Sequence, residues 1–393
     1  MTSRIPQQAI RVCIAGPADL VPDSGSTIYC RMLASSLAAA GCDVSVVCAK
    51  PHASMSVPAI VAPIPLRHPF DHFQGTPDAV FADAISVTVD AIERQWRPRR
   101  GDVIHAIYAG YNAIAAGVVA ALSGTRTVVT ELGRMVNVAV PGEERYRRMA
   151  ALALHVADHT IAATHDIANN IQRQFQVPLS KQTVLAVPMD LAGFAPTRQA
   201  STRSPLTITT ICSVLTEDKG VTDLVHAFAQ ARKRTPAGLR LNIVGQDYKA
   251  GEPLRHSLEH LIRNLAIAED VTLTGYLPHG EIPEVLASTG IYVDARRSAN
   301  FSSVILEAMA MQVPVVASAV ESNVALLRDG IDAMLFAPGD CAALADALVR
   351  LATSPELANQ LSGRGAAWIA EHSELFSLES HAARIVQIYR GFR

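Results

Sequence analysis

The chain has 393 residues, with 34 Lys and Arg against 36 Asp and Glu for a net charge of −2, and is 49% hydrophobic and 18% charged. Low charge with high hydrophobicity excludes disorder as the main state, and the near-neutral balance excludes a dedicated nucleic-acid binder, which would carry a marked basic excess. At roughly 100–200 residues per domain, the length predicts two or three domains whose partner is a small molecule or a protein.

Cys13, Cys30, Cys42, Cys48, Cys212 and Cys341 lie mostly in or beside apolar runs, without a paired or metal-ligand spacing. They read as reduced core thiols. The opening residues lack a basic stretch followed by an apolar one, and no apolar run approaches about 18 residues. The expectation is a soluble, cytoplasmic protein.

In chain order, short apolar runs at Ile10–Ala15, Asp43–Cys48, Val103–Ile107, Thr127–Thr130 and His159–Ala163 alternate with helical stretches such as Thr27–Ala40, Asn112–Leu122 and Asp166–Phe175. Near-continuous apolar strands alternating with amphipathic helices predict a parallel, doubly wound α/β sheet. The polar, Pro-bracketed stretch Ala195–Pro205 breaks the rhythm and reads as a linker. The rhythm then restarts with strands at Leu206–Cys212, Arg240–Val244, Val271–Thr274, Ile291–Val293, Val313–Ala317 and Ala333–Phe336. Helices are expected between them at Val221–Arg234, Glu252–Ala266, Val304–Met311, Cys341–Leu351 and Glu356–Glu371. The predicted organisation is an acceptor-side domain over 1–197, a second domain over 198–376, and a helix within 377–393, Leu378–Arg390, that folds back on the first. Ligands of such sheets bind at the carboxyl ends of the strands, which makes the cleft between the halves the expected site.

The strongest local signal is the run from Phe301 to Ala317, FSSVILEAMAMQVPVVA. Ser302 or Ser303 can cap a helix whose first-turn amides would hold an anion. Glu307, one turn in, can accept two ligand hydroxyls. Spacing alone leaves this reading beside that of a surface Glu on a capped helix.

This run resembles the donor-site motif of the GT-B glycosyltransferases of family 4, in which a Glu-Gly-Phe-Gly is followed by Glu-Ala-Met-Ala and Pro-Val-Val-Ala. The similarity continues through Asp329-Gly330-Ile331-Asp332, Pro338-Gly339-Asp340 and Leu344–Leu351. Upstream it includes Asp218-Lys219-Gly220-Val221-Thr222-Asp223-Leu224, Val244-Gly245 and Gly275-Tyr276-Leu277-Pro278-His279, and more loosely Ala39–Val44, Asp158–Ile161 and Met189–Phe194. The resemblance implies two Rossmann-like domains and a retaining enzyme that needs neither cofactor nor metal. The donor, a nucleotide-diphosphate sugar, would bind the second domain, and a small-molecule acceptor the first. It places Lys219 at the phosphates, Glu307 at the ribose hydroxyls, the backbone amides of Ser302, Ser303 and Val304 at the diphosphate, the backbone around Gly275 and Tyr276 at the base, and Phe301 among the donor-binding residues. The family's loop after the first strand falls on Asp23–Thr27, so Gly25 and Ser26 would approach the donor closely.

Several positions depart from the pattern. Val214 stands where an Arg ordinarily partners the phosphate Lys; Ala299, Asn300 and Ser302 replace the first Glu and the glycines of the motif; and Glu321–Ala325, Leu132 and Val187-Pro188 depart elsewhere. Losing one preorganised donor typically costs about 2.7–4 kcal/mol of transition-state stabilisation, so several such losses without replacement would leave little conventional catalysis; Arg296 or Arg297, immediately before the loop, could swing toward the phosphates in compensation, or the pair could form a solvated rim. On the acceptor side, His105, Tyr108, Tyr111 and Asn112 end one strand and Glu131 and Arg134 the next, with His105 as the candidate for proton transfer. The basic clusters Arg97–Arg100 and Arg145–Arg148 fit a solvated helix face or a peripheral contact with anionic lipid. Three functions follow: an ordinary retaining glycosyltransferase, an altered or pseudo-glycosyltransferase with an atypical donor or coupling reaction, and a non-catalytic binding subunit.

Overall fold

The computed structural model describes residues 9–17, 19–20, 24–66, 78–133, 136, 144–196, 205–247, 253–298 and 302–392. The chain divides into two compact units, Met1–Met189 with Glu374–Arg393, and Asp190–Ser373. Most of the Ala195–Pro205 stretch, together with Asp23, Arg134, Ala299, Asn300 and Phe301, lies outside the described residues.

In the first unit, β1 (Arg11–Ala15), β2 (Asp43–Cys48), β3 (Ala59–Val61), β4 (Val103–Ile107), β5 (Arg126–Glu131), β6 (His159–Ala162) and β7 (Gln182–Val184) form one sheet in the order β3-β2-β1-β4-β5-β6-β7. Every pairing is parallel. Parallel strands are covered by helices on both faces, so the inner strands are largely apolar, and all five residues of β4 are buried. The two edge strands carry too short an apolar run to stand out in the sequence. The helices Asp78–Ala91 and Glu144–Val156 belong to this unit as well.

The second unit repeats the arrangement with β8 (Leu206–Leu215), β9 (Leu239–Asp247), β10 (Val271–Gly275), β11 (Ile291–Asp294), β12 (Val315–Ser318) and β13 (Met334–Phe336), ordered β10-β9-β8-β11-β12-β13. Ile208, Leu241, Ile243, Ile291, Val293 and Val316 join Phe228 and Leu348 in its core. In each sheet the strand order reverses once, between β1 and β4 and between β8 and β11. The chain leaves neighbouring strands in opposite directions there, which opens a crevice at the carboxyl ends. The two doubly wound parallel sheets are the fold class that the alternating pattern predicts.

Four described helix starts carry a side-chain cap. Ser24 and Thr27 form a reciprocal capping box at Gly25–Ala39, Thr164 caps His165–Phe175, Asp340 caps Cys341–Thr353, and Ser377 caps Leu378–Arg390. Ser302 occupies the N-cap position of Ser303–Ala310 without a side-chain cap bond.

Candidate functional site

The second unit's reversal point is built by two chain exits. After β8 the chain makes a single tight turn, Glu217–Lys219, and Gly220 turns left-handed at φ 65° to start the helix Val221–Arg234. A side chain at Gly220 would put its Cβ 1.9 Å from the carbonyl oxygen of Ala295, so glycine is required for both its φ and its contact. The second exit, after β11, is lashed to the first. The Arg297 amide donates to the Asp218 carbonyl at 2.8 Å, and its guanidinium donates two bonds to Asp223, at 2.8 and 2.6 Å. Lys219 is thereby held beside the end of β11.

Tyr292 and Asp294 face away from the core cluster that holds Ile291 and Val293, as strand alternation requires. The buried Arg296 guanidinium donates to Asp294 through Nε at 2.6 Å and through Nη2 at 2.7 Å, and Ser302 adds a hydroxyl bond at 2.8 Å. Burial opposes charge on Asp294, yet Arg296, the Ser302 hydroxyl and Lys219 together hold its pKa below the usual carboxylate range. The same field from Lys219 reaches the Cys212 thiol, which burial nonetheless pushes up to about 11. The cluster continues outward, with the Ser318 hydroxyl donating to the Arg296 carbonyl and Asn323 to the Ser318 carbonyl.

This arrangement corrects two expectations. Ser302 does not cap its helix, because the ionised Asp294 draws its hydroxyl away and leaves the amides of the first turn without that side chain. Arg296 does not swing out in place of the missing Arg, because it is buried in a two-bond pair with Asp294, and Arg297 is likewise engaged with Asp223. Val214 lies in β8 just past an irregularity and pairs with Gln246.

Glu307 is 1% exposed, and its Oε1 accepts a bond from His279 Nε2 at 3.1 Å. Its Oε2 is buried without a hydrogen-bond partner, as is the Tyr292 hydroxyl. Tyr292 lies within the field of both Asp294 and Glu307, and burial, reinforced by Asp294, pushes its phenol far above the usual range. Gly275 closes β10 at φ 84° with open space where a Cβ would stand, and Tyr276 follows it toward His279. Lys219, Glu307, Gly275, Tyr276, Arg296, Ser302, Ser303 and Val304 all lie within the second unit. Phe301 lies outside the described residues. Asp294 and His279 were not singled out from sequence, although a carboxylate ending an apolar strand at its carboxyl end was a usable signal.

In the first unit, Ser24 and Thr27 cap the helix that carries Gly25 and Ser26, and open space surrounds the position of a Gly25 side chain. His105 is fully buried in β4. Its ring nitrogens are hydrogen-bonded with the hydroxyls of Tyr389, at 2.5 Å, and Thr130, at 2.7 Å. Burial, with His381 adding, lowers its pKa to about 3. A neutral imidazole with both nitrogens engaged inside the sheet is placed to hold structure, not to take a substrate proton. Glu131 is equally committed, accepting from the backbone amides of Ala109 and Gly133 at 3.1 Å each. Asn112 ties the ends of β1 and β4 by donating to the carbonyls of Ala15 and Ile107. Tyr108, at φ 70°, holds a left-handed conformation unusual for an aromatic residue at the carboxyl end of β4.

Among the described residues, no helix is long and apolar enough to cross a membrane, and no group of three or more His, Cys, Asp or Glu side chains is placed to hold a metal ion.

Comparison with known proteins matches residues 24–188 to the glycosyl transferase 4-like domain and residues 205–354 to glycosyl transferases group 1. The chain is 27% identical over 361 residues to a D-inositol 3-phosphate glycosyltransferase of Frankia alni, covering 86% of this chain and 88% of that one. It is 30% identical over 177 residues to an alpha-D-kanosaminyltransferase of Streptomyces kanamyceticus, covering 44% of this chain and less than half, 42%, of that enzyme. Among solved structures, a sucrose-phosphate synthase from Thermosynechococcus elongatus superposes with a TM-score of 0.81 at 22% identity, over 98% of this chain and 99% of the other. Anabaena HepE, solved with UDP and glucose, superposes with a TM-score of 0.77 at 16% identity, over 97% and 99%. Two parallel sheets, each with its reversal point, and domain matches along both halves make this chain a member of the glycosyltransferases of the GT-B fold, with a 4-like first domain and a group 1 second domain.

Proposed function

We propose that the protein moves a sugar from a nucleoside-diphosphate sugar to a small hydroxyl-bearing acceptor, with retention of anomeric configuration and without a metal ion. The observation that carries this reading is Glu307, a buried carboxylate with one oxygen unpartnered, in the matched segment and on the unit that also presents Lys219. A ligand hydroxyl would satisfy Oε2, while Lys219 and the uncapped amides after Ser302 would face the diphosphate. In the transfer, the bond from the anomeric carbon to the leaving phosphate oxygen breaks and the acceptor oxygen bonds on the same face. Its proton passes to the departing phosphate, which suits a fold whose His105 is neutral and enclosed. HepE of Anabaena, solved with UDP and glucose, supports a nucleotide-sugar donor, and the relative named for D-inositol 3-phosphate supports a small polyol acceptor.

A second reading, transfer from an atypical donor, is favoured by one observation. Val214 replaces the expected cation while Arg296 and Arg297 are tied to Asp294 and Asp223, so the diphosphate would meet fewer cations than in the family pattern. A panel of UDP, GDP, ADP, CDP and dTDP in thermal unfolding, with calorimetry, separates the two. Ligand at one hundred times its Kd adds about 2.7 kcal/mol, a shift of several degrees, and at least one diphosphate is expected to give it. No shift and no binding heat across the panel would remove the donor reading. Binding followed by turnover of none of the matching sugar nucleotides would favour the second. The anomeric configuration of the product, read by NMR with and without EDTA, tests retention and metal independence.

A further inference from the structure

His279 hydrogen-bonds the Glu307 carboxylate, and the bond spans 28 residues of sequence. Its backbone is set by Pro278, at φ −57°, and by the tight turn His279–Glu281, whose Glu281 amide donates to the Pro278 carbonyl at 2.9 Å. Its ring lies beside Phe194, with centroids 5.7 Å apart. The side chain is 28% exposed, whereas Glu307 is 1% exposed. Because an ionised carboxylate only accepts, Nε2 must carry the proton of this bond. A carboxylate on a helix can rotate about its last torsions, and a single fixed donor on Oε1 selects the orientation that leaves Oε2 unpartnered.

We propose that His279 is a positioning residue for donor binding: it fixes Glu307 through Oε1 and so presents Oε2 to the ribose hydroxyls of the nucleotide. This deepens the donor reading above and rests on it. The role is indirect, since His279 acts through the carboxylate and needs no contact with the ligand. It makes recognition of the ribose, more than affinity for the diphosphate, the property that depends on His279.

The test compares the nucleoside diphosphate that the full chain binds best with its 2′,3′-dideoxy counterpart, by calorimetry, for wild type, His279→Ala and His279→Gln. Gln places an amide N–H near the position of Nε2 and serves as the conservative variant. Wild type is expected to prefer the ribose form by about tenfold or more, the range of a hydrogen bond to a charged group. His279→Ala should lose most of that preference by weakening the ribose form while binding of the dideoxy form changes little. His279→Gln should retain the preference within about threefold of wild type. Equal weakening of both forms in His279→Ala, or an unchanged preference, would overturn the proposal, as would a Gln variant as poor as the Ala variant. Should wild type bind no diphosphate, the donor reading falls and this inference with it. Binding without dependence on His279 overturns this inference alone.

Discussion

Two buried polar networks, one in each unit, differ in whether they are closed. In the first unit, His105 links Tyr389 to Thr130, the Tyr29 hydroxyl reaches both Thr130 and His381, and His381 reaches the Ala186 carbonyl. These bonds use both nitrogens of both histidines. In the second unit, Asp294 and Arg296 are equally well matched, but Glu307 Oε2 and the Tyr292 hydroxyl beside them are left over. Buried polar groups are satisfied in nearly all native structures, so a closed network reads as structural fastening and an open one as capacity held for something that binds. Here the closed network joins the helix Leu378–Arg390 to β4, β5 and the first helix, while the open one stands at a sheet reversal point.

The sharpest way to break the comparison is Arg296→Met. Removing one member of a buried pair leaves Asp294 uncompensated, and a loss of about 3–5 kcal/mol is expected in denaturant unfolding. A loss under about 1 kcal/mol would show that the pair is solvated after all.

Acid is next in size. Burial lowers the pKa of His105 to about 3 and of His381 to about 4. Both are neutral in the fold and take a proton near 6.5 once unfolded, so the unfolded state binds more protons below that pH. Their contribution is complete above about pH 6.5 and is lost as pH falls toward the folded values, on the order of 1–2 kcal/mol per histidine by pH 5. Melting curves from pH 7 to pH 5 should show this decline, and His381→Asn should flatten it. An equal slope in the variant would assign the acid sensitivity elsewhere.

The smallest effects carry the sign of the contrast. Tyr389→Phe removes one partner of His105 and should cost about 1–3 kcal/mol, because a buried nitrogen is left unpaired. Glu307→Gln, in the open network, should leave stability within about 0.5 kcal/mol of wild type or raise it, because it removes a buried charge with a single bond. Stability curves of the two variants side by side would refute the distinction if Gln were the more damaging change.

Much of this was legible in the residues. The helices Val221–Arg234 and Leu378–Arg390 are read to the residue, since amphipathic spacing and flanking Gly220 or Ser377 mark their ends locally. The edge strands β3 and β7, three residues each, carry too little pattern to be seen. At the candidate site, the motif around Lys219 and Glu307 stands out, but Asp294 and His279 do not. Ser302 was legible as an N-cap position, and its actual bond to Asp294 was not.

What the sequence by itself determined is therefore what repeats locally: the alternation of apolar strand and amphipathic helix. Only the tertiary structure decided which partner each polar group found. His105 and Tyr389 are 284 residues apart in the chain, and His279 and Glu307 are 28 apart. Periodicity reports the face on which a side chain lies, because that depends on its neighbours in the chain. Whether a buried histidine or carboxylate is satisfied depends on groups delivered by distant segments, and that separates a fastening from a site.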